Sequence, residues 1–374
     1  MAVRLLGLGS LLFSFLLAQA GYAQSLAAQQ ALDSVRVKYQ LPALLAAVIE
    51  PTQIRYVYAG VKRSDQPELV SLADYFHLGS DTKGITSLLA GKLVEQGQLH
   101  WSSKLLDVVP ALRGNILPGY ADVTLDQLLS HRAGIQPYTA GSEYQNLPVF
   151  TGTISDKRLQ FAKVILRQQP VTLDSSRTYA YSNAGYVLAA LMLERASHCS
   201  WEELVTDTFA ELKLRYLLGF PSRTDARQPW GHWQQLPTDS VVTPLGPTHA
   251  YRLRDYMAPA GDVAMPLPDF ARLIQLHLRG LLGEGNYLLP STYQIIHFGK
   301  PEYAYGWGVT KLGTTGAPVS FHDGTAGTFF CHAIMFPSQK VAFVVLTNQG
   351  GVAAEKACND LRRRLKKLYL QGAL

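Results

Sequence analysis

The sequence predicts an α/β fold of composite (α+β) type. An antiparallel sheet is flanked by N- and C-terminal helices, a mostly helical lobe is added to it, and the active site lies between them. Three observations carry this. Strand-like runs occur near both ends of the chain, the middle is helical or irregular, and amphipathic helices stand outside the terminal strands. The 374 residues are 47% hydrophobic and 17% charged, which suits a large core and excludes a disordered chain. Residues 24–99 and 297–374 are expected to build the sheet lobe and 100–296 the helical lobe, as one unit.

The elements follow in chain order. The opening MAVRLLGLGSLLFSFLLAQAGYAQ has an early positive charge, an apolar run and small residues before Ala23, the pattern of a cleaved leader over 1–23. No cysteine near the cut suggests a lipid anchor, and no later run is long enough to span a bilayer, so an exported, periplasmic or extracellular protein is expected. Ser25–Tyr39 reads as a helix, and Leu44–Glu50 and Ile54–Tyr58 as strands turning at Pro51. HLGSDTKGITSLLAGKLVEQGQL (His77–Leu99) then carries Ile85, Leu88, Leu89 and Leu93 at helical spacing, with Gly97 as its stop. Further helices are expected at Thr124–Leu129, Ala184–Ala196, Trp201–Leu212 and Pro268–Arg279. Phe220–Tyr251, rich in Pro, Gly and Trp, reads as a long loop that would set specificity. Strands return at Tyr305–Leu312, Pro318–His322, Thr328–Phe336 and Val341–Thr347, and a helix over Ala353–Leu370 ends the chain.

The net charge of +6 draws heavily on Arg362–Lys367, RRRLKK. Leu361, Leu365 and Leu368 share one face there, so the bases belong to a solvated face, and no aromatic residues interleave as nucleic-acid binding would require. Three cysteines (Cys199, Cys331 and Cys358) and ten scattered histidines match no metal pattern, and no cofactor is expected. One cysteine pair could form a disulfide, but the spacing does not choose it.

Three pieces carry chemistry. Ser80 and Lys83 stand three apart at a helix start, where the side chains can touch and backbone N–H groups favour negative charge. A lysine held in apolar surroundings loses its preference for the charged form and can serve as a base for a hydroxyl nucleophile. In TYAYSNAGYVLAALMLE, Tyr181 can shuttle a proton and Asn183 can orient a carbonyl; otherwise Asn183 caps the helix and Tyr181 is core. In SFHDGTAGTFFCHAIMFP, alternation on a strand puts His322 and Gly324 on one face and Asp323 on the other. There Gly324 would let a substrate approach the backbone, and the N–H groups of Thr325 and Ser80 would form an oxyanion hole. The plain alternative is a turn with a structural histidine.

SxxK, YxN about a hundred residues later and HxG further on, in that order, resemble the serine β-lactamase-like superfamily: class C β-lactamases, D-Ala-D-Ala carboxypeptidases, D-aminopeptidases and related esterases. LDQLLSHRAGI (Leu125–Ile135) resembles that superfamily's LLxHxSGL segment, and YGWGV (Tyr305–Val309) its YGxGW segment. APAGDVAMPLPDFARLIQ (Ala258–Gln275) is similar to its glycine-then-helix segment. The resemblance implies that Ser80 is the acylated nucleophile, Lys83 its activating partner and Tyr181 the proton shuttle. It makes Asn183 a substrate-positioning amide and gives His322 the place of the lysine in KTG. Which of Lys83 and Tyr181 takes the first proton stays open.

Histidine in place of that lysine supplies no permanent cation near pH 7. HxG therefore points to the peptidase and esterase branches, with a small-molecule or short-peptide substrate. A true class C-like β-lactamase and a non-catalytic penicillin-binding-like protein are the alternatives. Trp230, Trp233 and Tyr251 could instead mark a carbohydrate- or peptide-binding module; loop packing or pocket walls are the expected role.

Overall fold

The computed structural model describes residues 24–114, 116–234 and 242–370. The leader expected at 1–23 lies outside them. The strands in chain order are β1 (Ala43–Ile49), β2 (Ile54–Gly60), β3 (Tyr75–His77), β4 (Leu217–Leu218), β5 (Gly231–Trp233), β6 (Thr243–Leu245), β7 (Val263–Pro266), β8 (Gly308–Leu312), β9 (Ala317–Thr325), β10 (Phe330–Phe336) and β11 (Val341–Thr347). Six of them form one antiparallel sheet in the order β2-β1-β11-β10-β9-β8. The first hairpin is thus added beside the last strand, with Leu45 opposite Leu346.

Both faces of this sheet are covered, and alternate residues go to different cores. Leu44, Ala46 and Val48 join Phe343 and Val345 under the terminal helices at 24–38 and Gly351–Tyr369, where Leu32, Val35, Leu361 and Leu365 are buried. Leu45, Ala47 and Ile49 face the other way, toward a larger core shared with the helices of the middle of the chain. The basic run behaves as its spacing predicts: Leu361 and Leu365 are buried, while Arg364 pairs with Asp360 at 3.2 Å.

The Thr82–Glu95 helix is buried on nearly every side, because other helices surround it. Gly84 is needed there, since a Cβ would come within 2.7 Å of the Trp307 ring. A second, three-stranded sheet, β3-β7-β4, delivers the chain into this helix. No alternation announced it, because its strands are only two to four residues long. The sequence also left unmarked the helices Ile154–Ile165 and Pro290–Phe298.

Phe220–Tyr251 is not wholly a loop. Its described part holds a short helix, Pro221–Thr224, and the hairpin pair β5 and β6. Strand pairing there is satisfied by the backbone of Gly231–Trp233, which glycine and tryptophan composition does not reveal.

Among the described residues no helix is long and apolar enough to cross a membrane. Nor does any group of three or more metal-ligating side chains come together among them. Cys199, Cys331 and Cys358 are free thiols.

Candidate active site

Ser80 sits in a 3-10 turn, Gly79–Asp81, that runs directly into the Thr82–Glu95 helix. The turn is fixed from both sides. Gly79 adopts φ +53°, and a Cβ there would meet the Thr325 nitrogen at 2.4 Å, so the end of β9 lies against the turn. Leu78 N–H donates to the Val263 carbonyl at 2.8 Å, continuing the β3–β7 pairing.

Lys83 is fully buried. Its Nζ lies 3.2 Å from Ser80 Oγ, 2.7 Å from Asn183 Oδ1 and 2.6 Å from the Ala260 carbonyl oxygen. It also stands 4.7 Å from the centre of the Tyr181 ring. Burial holds the Lys83 pKa well below the ordinary lysine value, with Asp81 opposing. A neutral amine has two N–H donors and a lone pair. When Lys83 is neutral, the two carbonyl-type acceptors take its donors and its lone pair is left for Ser80.

The Tyr181 hydroxyl interacts with the Ser80 side chain, and burial, the larger effect, raises its pKa above the ordinary phenol value. Its ring packs on His131 with centroids 4.3 Å apart. Asn183 begins the Asn183–Ser197 helix, but Ser182 is the cap, accepting from Gly185 N–H at 2.9 Å. Asn183 is thereby released for the site: its Nδ2 donates to the Tyr138 carbonyl at 3.0 Å while Oδ1 accepts from Lys83.

A cavity of about 740 Å³ opens over Ser80, and Asn183 and Thr325 also line it. His322 is not among the residues that line this cavity. It is 5% exposed, lies behind the cavity wall, and its Nε2 is 3.0 Å from the Tyr303 hydroxyl. Burial, the largest cause, lowers its pKa to about 3, so its imidazole is neutral near pH 7.

The reason for glycine at 324 differs from the expected one. A Cβ there would meet the Leu78 carbonyl oxygen at 1.9 Å and Asp81 Oδ2 at 2.5 Å. Its bare backbone admits the turn that carries Ser80, rather than a substrate. Asp323 does point to the opposite face, where it pairs with His332, its register partner on β10, at 2.6 Å.

The chain matches the Beta-lactamase family model over residues 23–367. It belongs to the beta-lactamase family. It is 25% identical over 359 residues to "Penicillin-binding protein 4" of Amycolatopsis lactamdurans, covering 91% of this chain and 89% of that protein. It is 23% identical over 320 residues to "Protein flp" of Staphylococcus aureus (strain MW2), covering 82% of this chain; that match spans 59% of the relative's length. Its fold is similar to that of a class C beta lactamase from Rhodobacter sphaeroides, with TM-score 0.69, 18% identity, and coverage of 93% and 99% of the two chains. Membership in the beta-lactamase family and the mixed fold with its six-stranded sheet agree with what the sequence predicts.

Several residues of this beta-lactamase-family site were not singled out by the sequence. His77 accepts from Gly79 N–H at Nδ1 (3.1 Å) and, with its proton therefore on Nε2, donates to Asp262 at 2.9 Å. This pair ties the turn that carries Ser80 to the segment whose Ala260 carbonyl holds Lys83. Ala260 contributes only backbone, which no side-chain pattern can reveal. His131, inside LLSHRAGI, was available to the eye; it accepts from Ser182 N–H at 3.2 Å and buttresses Tyr181. Asp81 is buried with no nitrogen or oxygen partner for its carboxyl among the described residues. Burial, then the nearby Asp323, pushes its pKa well above the usual carboxylate range, with the Cys331 thiol and Lys83 opposing.

Proposed function

We propose that this protein is an exported serine hydrolase of the peptidase or esterase branch, which forms an acyl-enzyme on Ser80 and hydrolyses an amide or ester. The observation that carries the reading is the position of Lys83 Nζ, 3.2 Å from Ser80 Oγ with its two other contacts made to pure acceptors. Ser80 Oγ attacks the substrate carbonyl carbon while its proton passes to the lone pair of Lys83. The carbonyl oxygen becomes an oxyanion facing the N–H groups of Ser80 and Thr325. Tyr181, kept as a phenol by burial, gives its proton to the leaving amine or alcohol and takes one back from the Lys83 ammonium, which restores the neutral amine; in deacylation it relays the proton of the attacking water to Ser80 Oγ as the acyl bond breaks. The order of proton transfer proposed here is therefore Lys83 first. The apolar N-terminal run supports export.

The test is turnover by the purified protein. A p-nitrophenyl ester or a D-amino acid amide is hydrolysed, and Ser80→Ala loses this activity. A neutral His322 disfavours the class C-like reading, so nitrocefin is turned over poorly. Efficient nitrocefin hydrolysis with inert esters would reverse the assignment, and inertness toward all three would favour a penicillin-binding-like protein without catalysis.

A further inference from the structure

The cavity over Ser80 has an uneven charge. Among the described residues no acidic residue lines it, whereas two arginines do, Arg252 and Arg254. Both residues are exposed, and among the described residues neither has an ion pair or hydrogen bond through its side chain. Both also line an adjoining cavity of about 460 Å³, where Asp255, the one acid on the wall among the described residues, is already held by Lys157 at 2.5 Å. The segment is anchored beside the reacting atoms. The Tyr251 hydroxyl donates to the Ala326 carbonyl at 2.8 Å, one residue beyond Thr325, and the Tyr251 ring packs on Trp233 with centroids 5.3 Å apart. Arg223 donates to the Tyr251 carbonyl at 3.3 Å from below. Deeper in the site no further cation lines the cavity among the described residues, since Lys83 is engaged on its donors and His322 is not among the lining residues.

We infer that Arg252 and Arg254 select substrates bearing a carboxylate on the part remote from the scissile carbonyl. The inference rests on the hydrolase reading above and names its substrate class. A guanidinium offers a planar fork of donors that matches a carboxylate bidentately. Two such groups, unneutralised by any acid in the cavity, favour an anionic substrate over a neutral one of the same shape.

The experiment compares the p-nitrophenyl monoester of suberic acid with its neutral ω-amide. Wild-type protein prefers the carboxylate by about tenfold in kcat/KM, the combined effect of two exposed charge-assisted contacts. The preference resides in KM and shrinks as salt rises from 50 to 500 mM, as about threefold shortening of the Debye length requires. It falls to near unity in R252Q/R254Q and is partly restored in R252K/R254K. Equal kcat/KM for the two esters in wild type, or a preference that survives in R252Q/R254Q, overturns the inference while leaving the hydrolase reading intact. If neither ester is turned over, calorimetric binding of the two to Ser80→Ala decides it. Tighter, arginine-dependent binding of the carboxylate form supports the inference; equal binding overturns it.

Discussion

Gly324→Ala probes how the end of β9 positions Ser80, the proposed nucleophile. The new Cβ would lie 1.9 Å from the Leu78 carbonyl oxygen and 2.9 Å from the Asp81 nitrogen, where real Cβ contacts essentially never fall below 3.0 Å. Both atoms are backbone, so no side-chain rotation relieves the clash. β9 cannot retreat easily there, because Gly324 is paired with Cys331 of β10. The turn carrying Ser80 must therefore shift by roughly 1 Å, a misplacement that costs about 10²-fold in rate. Overpacking of this kind costs about 1–3 kcal/mol of stability. The assay is kcat/KM for a p-nitrophenyl ester, corrected for folded fraction by urea unfolding. Gly97→Ala serves as control. Its φ of +72° makes alanine strained, yet nothing lies within 4 Å, so stability falls by about 1 kcal/mol and kcat/KM holds. A G324A protein with kcat/KM within threefold of wild type would refute the reasoning.

The other predictions concern support around the site. His77→Phe keeps a ring but removes both hydrogen bonds, so kcat falls at least about tenfold while KM changes little; steady-state kinetics showing an unchanged kcat would remove His77 from the positioning of Ser80. Arg158 is fully buried and pairs with Glu194 and Glu202. Arg158→Met leaves buried Glu194 uncompensated and costs about 3–5 kcal/mol in urea unfolding, and a loss below 1 kcal/mol would mean the network is not buried as described. His322 and His277 have pKa values lowered to about 3 by burial, against about 6.5 when unfolded. Between those values the unfolded chain binds more protons, so stability falls as pH drops from about 6.5 toward 3, by up to about 1.4 kcal/mol per pH unit for each imidazole. Thermal unfolding at pH 7, 5.5 and 4.5 should show a shallower fall in His277→Gln, and an identical slope contradicts the burial argument.

What the sequence made legible depended on the range of the signal. Val341–Thr347 was readable to the residue because a strand buried on both faces is a continuous apolar run, and Trp201–Leu212 because one buried face imposes a helical period. Ser80 and Lys83 were readable because three residues on a helix fix a contact. Lys83 with Asn183 spans 100 residues and depended on motif order rather than local pattern. Gly324 was recognised for the wrong reason: alternation gives the face of a strand, not what is packed against it. The Ala260 carbonyl and the His77–Asp262 pair left no trace, since a backbone acceptor has no side-chain signature and a pair 185 residues apart is made only by the fold. The hairpin inside Phe220–Tyr251 was hidden by its own composition, because Gly, Pro and Trp read as loop even where backbone pairing is present.

The central claim is that the buried amine of Lys83 makes the Ser80 oxygen a nucleophile. It is tested most directly by exposing the protein to a fluorophosphonate and locating the adduct by peptide mass spectrometry. The account predicts one adduct, on Ser80, absent in Ser80→Ala and formed at least about a hundredfold more slowly in Lys83→Gln. An adduct on another residue, or one formed at an undiminished rate in either variant, would contradict it.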